Sequence, residues 1–434
     1  MKTPDYDIII VGGRPAGASL AARLGKRGLR VLVVDRATFP SNPGVPSSPA
    51  VHCGAMALLD EIGIDEADYA DEHACMRALH VELAGAFTAV MRVPPLAAGR
   101  DYVRGVDRYS FDDLLWRKLE RFPSVERRSG FAVTNVIRRD HRVVGIVGGS
   151  KGERPREITA RCVVGADGRF SLVARKVGAD VIEDAPEHTS TVYFANWSGV
   201  KPIHNEYSAG YVYATARGLD VLFFAMPDGR WSINTHARSD RVRINGDAQR
   251  YYLDTLRSIP RVWQYIDRAE RVSPIIGIKQ IGNGYRRPSG PGWVLVGDAL
   301  HYKDPADGQG IYDALIEAKL LDAALARWHS EESSWDAAMA QYRRDVWAAT
   351  HSMFVVTTTR IKRELYSEPP MPIVRTVMRW MMTDPEYGKA FLRVQGRDCP
   401  PELLLSKSLV GGAALRGLGR DVLSWISRRL SRTA

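Results

Sequence analysis

Apolar residues follow several rhythms along this chain. Ile8-Ile9-Ile10-Val11 and Val31-Leu32-Val33-Val34 are short unbroken apolar runs, as in strands covered on both faces. Between them Ala18, Ala21 and Leu24 recur at helical spacing until Gly28 breaks the pattern. Residues 7–36 therefore predict strand, helix, strand. Residues 39–54, "FPSNPGVPSSPAVHCG", predict a long ordered loop from their proline and serine content. "LHVELAG" and "FTAVMRVP" alternate well enough to predict an antiparallel pair. "RYSFDDLLWRKLERF" predicts a helix, and residues 131–164 a three-stranded meander ending in "ARCVVGADG".

Further along, "TSTVYFANWSG", "GYVYATA", "DVLFFAMP" and "RWSINTHA" are β-branched and aromatic segments that predict a sheet. "GWVLVGDALHYKDPADGQGIYDALIEAKLLDAALARW" is a second strand-to-helix passage, and the chain from about 331 predicts mostly helix. At its end Leu415, Leu418, Val422, Leu423, Ile426 and Leu430 stand at helical spacing with arginines between. They predict a helix docked on the body of the protein. The alternative is a basic helix lying on a membrane surface.

Composition narrows the classes. A chain of 434 residues, 45% hydrophobic and 25% charged, has room for two or three subdomains around sizeable cores. A net charge of +10 favours anionic ligands or surfaces. The basic residues are spread out, with no basic helix interleaved with stacking aromatics, so nucleic acid is not an expected partner. Cys53, Cys75, Cys162 and Cys399 form no C-x-x-C and have no histidine at ligand spacing, which argues against a metal or dithiol centre. They suit a reducing cytoplasm. The first strand begins within ten residues of Met1, so no signal peptide is expected. No apolar run approaches the ~18 residues of a membrane span.

The chemistry is carried by the turn after the first strand. A strand, a tight glycine turn and a helix aim backbone N–H groups and the positive helix end at a phosphate. The turn reads Gly12-Gly13-Arg14-Pro15-Ala16-Gly17, with arginine where G-x-G-x-x-G has its middle glycine. No lysine follows Gly17, so this is not a triphosphate loop. Asp35, at the end of the second strand and followed by Arg36, is placed to accept hydrogen bonds from a ribose. Arg14 either points away from the ligand or folds over its phosphates, and contact with the pyrophosphate is the favoured expectation.

Two distant motifs add to this unit. "VVGADGRFSLVARKVG" (163–178) is a strand, then Asp167-Gly168, then a helix; "GWVLVGDALHYKDPADGQGIYDALIEA" (292–318) is a strand, then Gly297-Asp298, a Pro-Gly loop and a helix. "VDRYSFDDLL" places Arg108 and Asp112 in an R-x-x-x-D-x-x-L helix start. The set resembles the fingerprints of FAD-dependent monooxygenases related to p-hydroxybenzoate hydroxylase, shared by geranylgeranyl reductases and flavin-dependent halogenases. The resemblance covers residues 5–330, weakly through 180–280, and Arg14 departs from it.

The resemblance implies an α/β fold with a Rossmann-like FAD-binding domain, an inserted mixed or antiparallel β-sheet substrate domain and a helical C-terminus. The expected division is FAD-binding segments at 1–76, 101–180 and 281–330, substrate-domain segments at 77–100 and 181–280, and a helical region at 331–434. It implies FAD held by Gly12, Gly13, Arg14, Pro15, Ala16, Gly17, Asp35, Arg36, Arg108, Asp167, Gly297, Asp298, Pro305, Gly308, Gln309 and Gly310. Asp298 would accept from ribityl hydroxyls, and the helix after Gly310 would face the flavin N1–C2=O edge, where reduction builds negative charge. For Asp167 the competing reading is a helix cap. NADPH or NADH would dock transiently as co-substrate, since no second strand–glycine–helix unit exists.

In such monooxygenases reduced FAD and O2 form a C4a-hydroperoxide that oxidises an aromatic or otherwise electron-rich hydrophobic molecule. Tyr193, Trp197, Tyr211, Tyr213, Phe224, Trp231 and His236 lie on the expected substrate sheet. The catalytic candidates taken are His52, Tyr211, Tyr213 and His236. A halogenase would be expected to carry W-x-W-x-I-P, which is absent. An alkene reductase of the geranylgeranyl type is the alternative, with Cys53-Gly54 near the place of that family's cysteine loop. A non-enzymatic lipid escort on the same fold is a third reading, and Asp298 with Gly308-Gln309-Gly310 argues against it.

Overall fold

The computed structural model describes residues 3–45, 47–96, 99–215, 217–244, 246–367 and 371–430. Strand Tyr6–Val11 lies at the centre of a parallel array, with Val31–Val34 on one side and Arg156–Gly165 on the other. Val125–Arg128 extends the array beyond the second strand, and Trp293–Leu295 extends it beyond Arg156–Gly165. Ile8, Ile9 and Ile10 are fully buried, as an unbroken apolar run requires when helices cover both faces. Helices Pro15–Lys26 and Gly310–His329 pack together on this sheet. Phe131–Arg139, Arg142–Ser150 and Arg156–Gly165 form the antiparallel meander.

The second sheet runs in the order Glu270–Arg271, Ser190–Ser198, Trp231–Arg238, Leu219–Ala225, Ala209–Ala214, Ala78–Leu83, Phe87–Arg92. Ala78–Leu83 and Phe87–Arg92 are an antiparallel hairpin, and Ala78–Leu83 joins Ala209–Ala214 in parallel. Two distant stretches of chain thus share one sheet. Because side chains alternate along a strand, the sheet has two distinct faces. One carries Tyr193, Tyr211, Tyr213, Phe223 and Ile233, packed over Tyr252 and Leu256 of helix Ala248–Arg257. The other carries Gly210, Val212, Leu222 and Phe224 and faces a cavity.

The stretch expected as loop over 39–54 ends earlier. Ala50–Val51 is a strand paired with Val103–Gly105, and helix Cys53–Glu61 follows. The pairing partner lies in another segment, so local proline and serine content does not reveal it. Pro46 lies outside the described residues.

Helices Trp335–Ile361, Met371–Met382, Pro385–Gln395 and Lys407–Leu430 complete the chain. The last one docks, but by an unexpected side. Ala413 is buried, and Gly417 lies so near Trp380 that a Cβ there would be 2.2 Å from the indole. Arg416 pairs with Asp384 at 2.7 Å, and Asp421 with Arg379 at 2.6 Å. The leucine-rich stripe that predicts the helix is left in solvent: Leu415 is 73% exposed and Leu423 68%. Small residues and ion pairs bring this helix close to its neighbour, and that turns its large apolar side chains outward. No helix among the described residues is long and apolar enough to cross a membrane.

Candidate active site

The three motif loops meet in one crevice of about 630 Å³, lined among others by Gly12, Asp35, Arg108, Asp167, Asp298 and Gly310. Gly12 has φ +109°, and a Cβ there would stand 2.3 Å from the Ala166 carbonyl oxygen, so only glycine allows the first turn to touch the second motif. Asp35 accepts from the Gly13 and Ala37 N–H groups, both at 2.8 Å, which fixes its carboxylate at the crevice edge. Helix Pro15–Lys26 starts at Arg14 and helix Gly310–His329 at Gln309, and neither start has a side-chain cap. Both therefore leave unpaired N–H donors at the crevice, where a diphosphate and an electron-rich ring edge would accept them.

Asp298 supplies a complementary acceptor. Burial raises its carboxyl above the usual range, with Arg169 acting against that rise. No described residue donates to the carboxylate; only its backbone carbonyl is bonded, by Arg286 at 3.3 Å. A half-buried acid that faces the crevice without donors is poised for hydroxyl groups from a ligand. Glycine turn, uncapped helix starts and orphaned acid together suit a flavin dinucleotide.

Other candidates are held differently. Arg14 lines the crevice, and its guanidinium meets Asp112 at 2.5 Å and donates to the Ser41 and Asn42 carbonyls, both at 3.1 Å. Asp112 is fully buried and attracts it, so Arg14 ties the turn to the 41–42 loop. Arg108 grips the same Asp112 at 2.9 Å and reaches Ser47 at 2.5 Å. Asp167 caps helix Leu172–Val177, accepting from the Leu172 and Val173 N–H groups at 2.6 and 3.1 Å. Pro305 and Arg36 line the crevice. The Gln309 side chain turns from it, donating to the Gln395 carbonyl at 2.9 Å and accepting from Arg397 at 2.8 Å.

A second cavity of about 980 Å³ has Ala306, Asp307 and Gly308 in its wall, in the same loop whose Asp304, Pro305 and Gly310 line the crevice. Its walls are largely apolar: Met76, Leu79, Val212, Leu222, Phe224 and Phe391 are representative. His52 lines it, and a Cβ on Gly308 would lie 3.4 Å from His52 Nε2. Burial and the nearby Arg397 push the His52 imidazole down to about 4, so it is neutral at ordinary pH. His52 thus stands where the cavity meets the 304–310 loop.

Tyr211 and Tyr213 do not reach the cavity. They occupy the opposite face of Ala209–Ala214, where the Tyr211 hydroxyl donates to Glu82 at 3.1 Å. Period-two alternation sends Gly210, Val212 and Ala214 to the cavity instead. Tyr193, Trp197 and Trp231 likewise pack with that second core, whereas Phe224 faces the cavity. His236 stands 3.0 Å from Asp304 and lines a small void with Ser47, Pro305 and Ala306. Burial lowers its affinity for a proton, but the carboxylates of Asp304 and Asp220 outweigh this and hold it above the usual value.

Several site residues escape the sequence reading. Asp313 is buried between Lys303 at 2.5 Å and Arg397 at 2.7 Å, and Glu317 accepts from the Gly297 N–H at 2.6 Å. Two acids four residues apart in the otherwise apolar stretch 310–318 are the signal that marks them. Arg360 pairs with Asp307 at 2.6 Å and Glu364 at 2.8 Å beside Asp220, a cavity-lining carboxyl only 5% exposed. Burial and the Glu364 carboxylate push Asp220 up to about 7.

Residues 5–352 match the family model for an FAD binding domain. The chain belongs to that FAD-binding family. It is an FAD-dependent oxidoreductase, and its relatives include monooxygenases, halogenases and geranylgeranyl-type reductases. It is 26% identical over 414 residues to a 6-methylpretetramide 4-monooxygenase of Streptomyces rimosus, covering 90% of this chain and 94% of that one. It is 27% identical over 399 residues to a menaquinone reductase of Mycobacterium tuberculosis, covering 87% and 92%. The solved structure of a flavin-dependent brominase superposes with a TM-score of 0.77 at 18% identity, over 98% of this chain and 99% of that one, a likeness of fold.

Proposed function

We propose that this flavoprotein is a monooxygenase that uses NAD(P)H and O2 to oxidise a large, electron-rich hydrophobic molecule held in the 980 Å³ cavity. Bound FAD would supply two-electron chemistry, taking hydride from NAD(P)H and passing its electrons to O2. Glycine turn, helix starts and Asp298 hold the cofactor; His52 and Gly308 bring the cavity wall against it. The apolar walls exclude water from the reacting end, which favours productive oxygen transfer.

The observation that carries this reading is Asp220. A cavity carboxyl pushed up to about 7 is matched to taking a proton from a ring hydroxyl, the step that makes an aromatic carbon electron-rich. Arg360 beside it balances the charge that results. The face that supports an aromatic substrate is therefore Phe224 with Asp220, not the tyrosines of the opposite face. Turnover under labelled O2 tests the assignment.

A second reading has one observation in its favour. Cys53 lines the cavity beside His52, donates to the Gly396 carbonyl at 3.3 Å, and is pushed up to about 11 by burial, so it stays a thiol. A thiol at that place would serve alkene reduction, in which a proton must be delivered to the carbon opposite the hydride. Cys53→Ala without effect on turnover removes this reading.

A further inference from the structure

The C-terminal helix Lys407–Leu430 is built inside out for a docked helix. Its inward side is Ala413 and Gly417 against Trp380, closed by the Arg416–Asp384 and Asp421–Arg379 pairs. Its outward side holds Leu415, Leu418, Val422 and Ile426, at i, i+3, i+7 and i+11, with Leu423 beside them. These five are between 42% and 73% exposed. A contiguous apolar stripe of this kind on a soluble surface marks a contact site. Residues 407–434 carry six basic side chains, Lys407, Arg416, Arg420, Arg428, Arg429 and Arg432, against the single acid Asp421; Arg416 and Arg420 share Asp384 on the docked side.

The helix that carries the stripe follows directly on a segment of the cavity wall. Leu405, 76% exposed, lies two residues before the helix and lines the cavity, as do Leu404 and Pro401. Val377 and Val355, each more than one-third exposed, line it too. The cavity thus has an exposed apolar rim at Leu405, immediately ahead in sequence of the exposed apolar helix.

We propose that this helix lies in the interface of an anionic lipid bilayer and sets the mouth of the cavity against the acyl chains, from which a lipophilic substrate enters. Charge selects the occupant. A second copy of this chain would present the same excess of arginine and be repelled, whereas acidic headgroups attract it, and the stripe enters the acyl boundary. The proposal concerns where the protein works and stands whichever redox reaction the flavin performs.

Full-length holoprotein is floated with vesicles of neutral phosphatidylcholine alone or with one-third phosphatidylglycerol. Flotation with the anionic vesicles is expected to exceed that with neutral ones by tenfold or more and to fall in high salt. Leu415→Ser/Leu423→Ser and Arg428→Ser/Arg429→Ser are each expected to lower it at least tenfold while FAD content and Tm stay as in the parent; Leu415 and Leu423 point to solvent, away from the Trp380 contact. An environment-sensitive dye on Leu405→Cys, in a Cys399→Ser background, is expected to shift to the blue when anionic vesicles are added. Binding that is absent, indifferent to lipid charge or unchanged in the leucine variant would overturn the proposal. A dye at position 405 that stays in water, or a dimer abolished by Leu415→Ser/Leu423→Ser, would overturn it as well.

Discussion

The Arg14 guanidinium and the Asp112 carboxylate meet at 2.5 Å at the crevice edge, and Arg108 holds the other oxygen of that buried acid at 2.9 Å. The residue replacing the middle glycine of the turn is therefore a strut between the turn, the helix Arg108–Arg117 and the 41–42 loop. Arg14→Gly is expected to keep FAD affinity within a few-fold and to lower stability by about 1.5–3 kcal/mol, the worth of a charge-assisted hydrogen bond. Flavin fluorescence titration and denaturant unfolding measure the two. A large, salt-sensitive loss of FAD affinity would instead place Arg14 on the pyrophosphate.

Asp298 is the crevice acceptor to which no described residue donates. Asp298→Ala is expected to weaken FAD by about 1.5–3 kcal/mol, roughly tenfold to a hundredfold in Kd. Asp298→Asn should recover part of the loss, because an amide oxygen still accepts. Equal Kd values for parent and alanine variant would remove Asp298 from the cofactor site.

Asp220 makes stability and rate respond to pH in opposite directions. Its carboxyl titrates near 3.8 when unfolded and near 7 when folded, so between those values the native state binds the extra proton. Stability from this group is complete below pH 3.8 and is lost as pH rises through 7. Asp220→Asn should flatten that decline. If the carboxylate takes the substrate proton, kcat should rise through a pKa near 7 in the parent, and Asp220→Asn should lose that limb. A parent profile without the limb would leave Asp220 outside the reaction.

Arg397 joins the start of helix Gly310–His329 to the C-terminal region through Gln309 at 2.8 Å and Asp313 at 2.7 Å. Arg397→Ala leaves Asp313 with Lys303 alone, so the loss should fall at the low end for a broken buried pair, about 3 kcal/mol. Chemical unfolding reads this, and FAD should dissociate at lower denaturant than in the parent. A midpoint unchanged for both would show that Lys303 suffices.

The nucleotide-binding half was legible because its signals are local. Ile8-Ile9-Ile10, Gly12, Asp35 and Asp298 each announce a place in a strand–turn–helix by their nearest neighbours in sequence. The cavity was not legible in this way. Alternation along Ala209–Ala214 reveals two faces, but which face meets solvent, a core or a ligand depends on Tyr252 and on helices far along the chain. Tyr211 and Tyr213 look like substrate contacts by composition and are core by packing. In the C-terminal helix, spacing marks the apolar stripe but not its direction, because Gly417 fits the indole of Trp380 more closely than a leucine would. Arg397 gives no local signal, since its partners Gln309 and Asp313 are brought to it only by the fold.

The central claim is oxygen transfer to a molecule in the cavity beside His52 and Asp220, and isotope labelling tests it most directly. Purified holoprotein is supplied with NAD(P)H and a panel of hydrophobic phenols, fused-ring aromatics and isoprenoid alkenes, under 18O2 and again without oxygen. The account predicts a product heavier by one 18O atom, formed only in air, with NAD(P)H consumed in equal amount. A product that forms equally well without oxygen, gains two hydrogens and carries no label would contradict it.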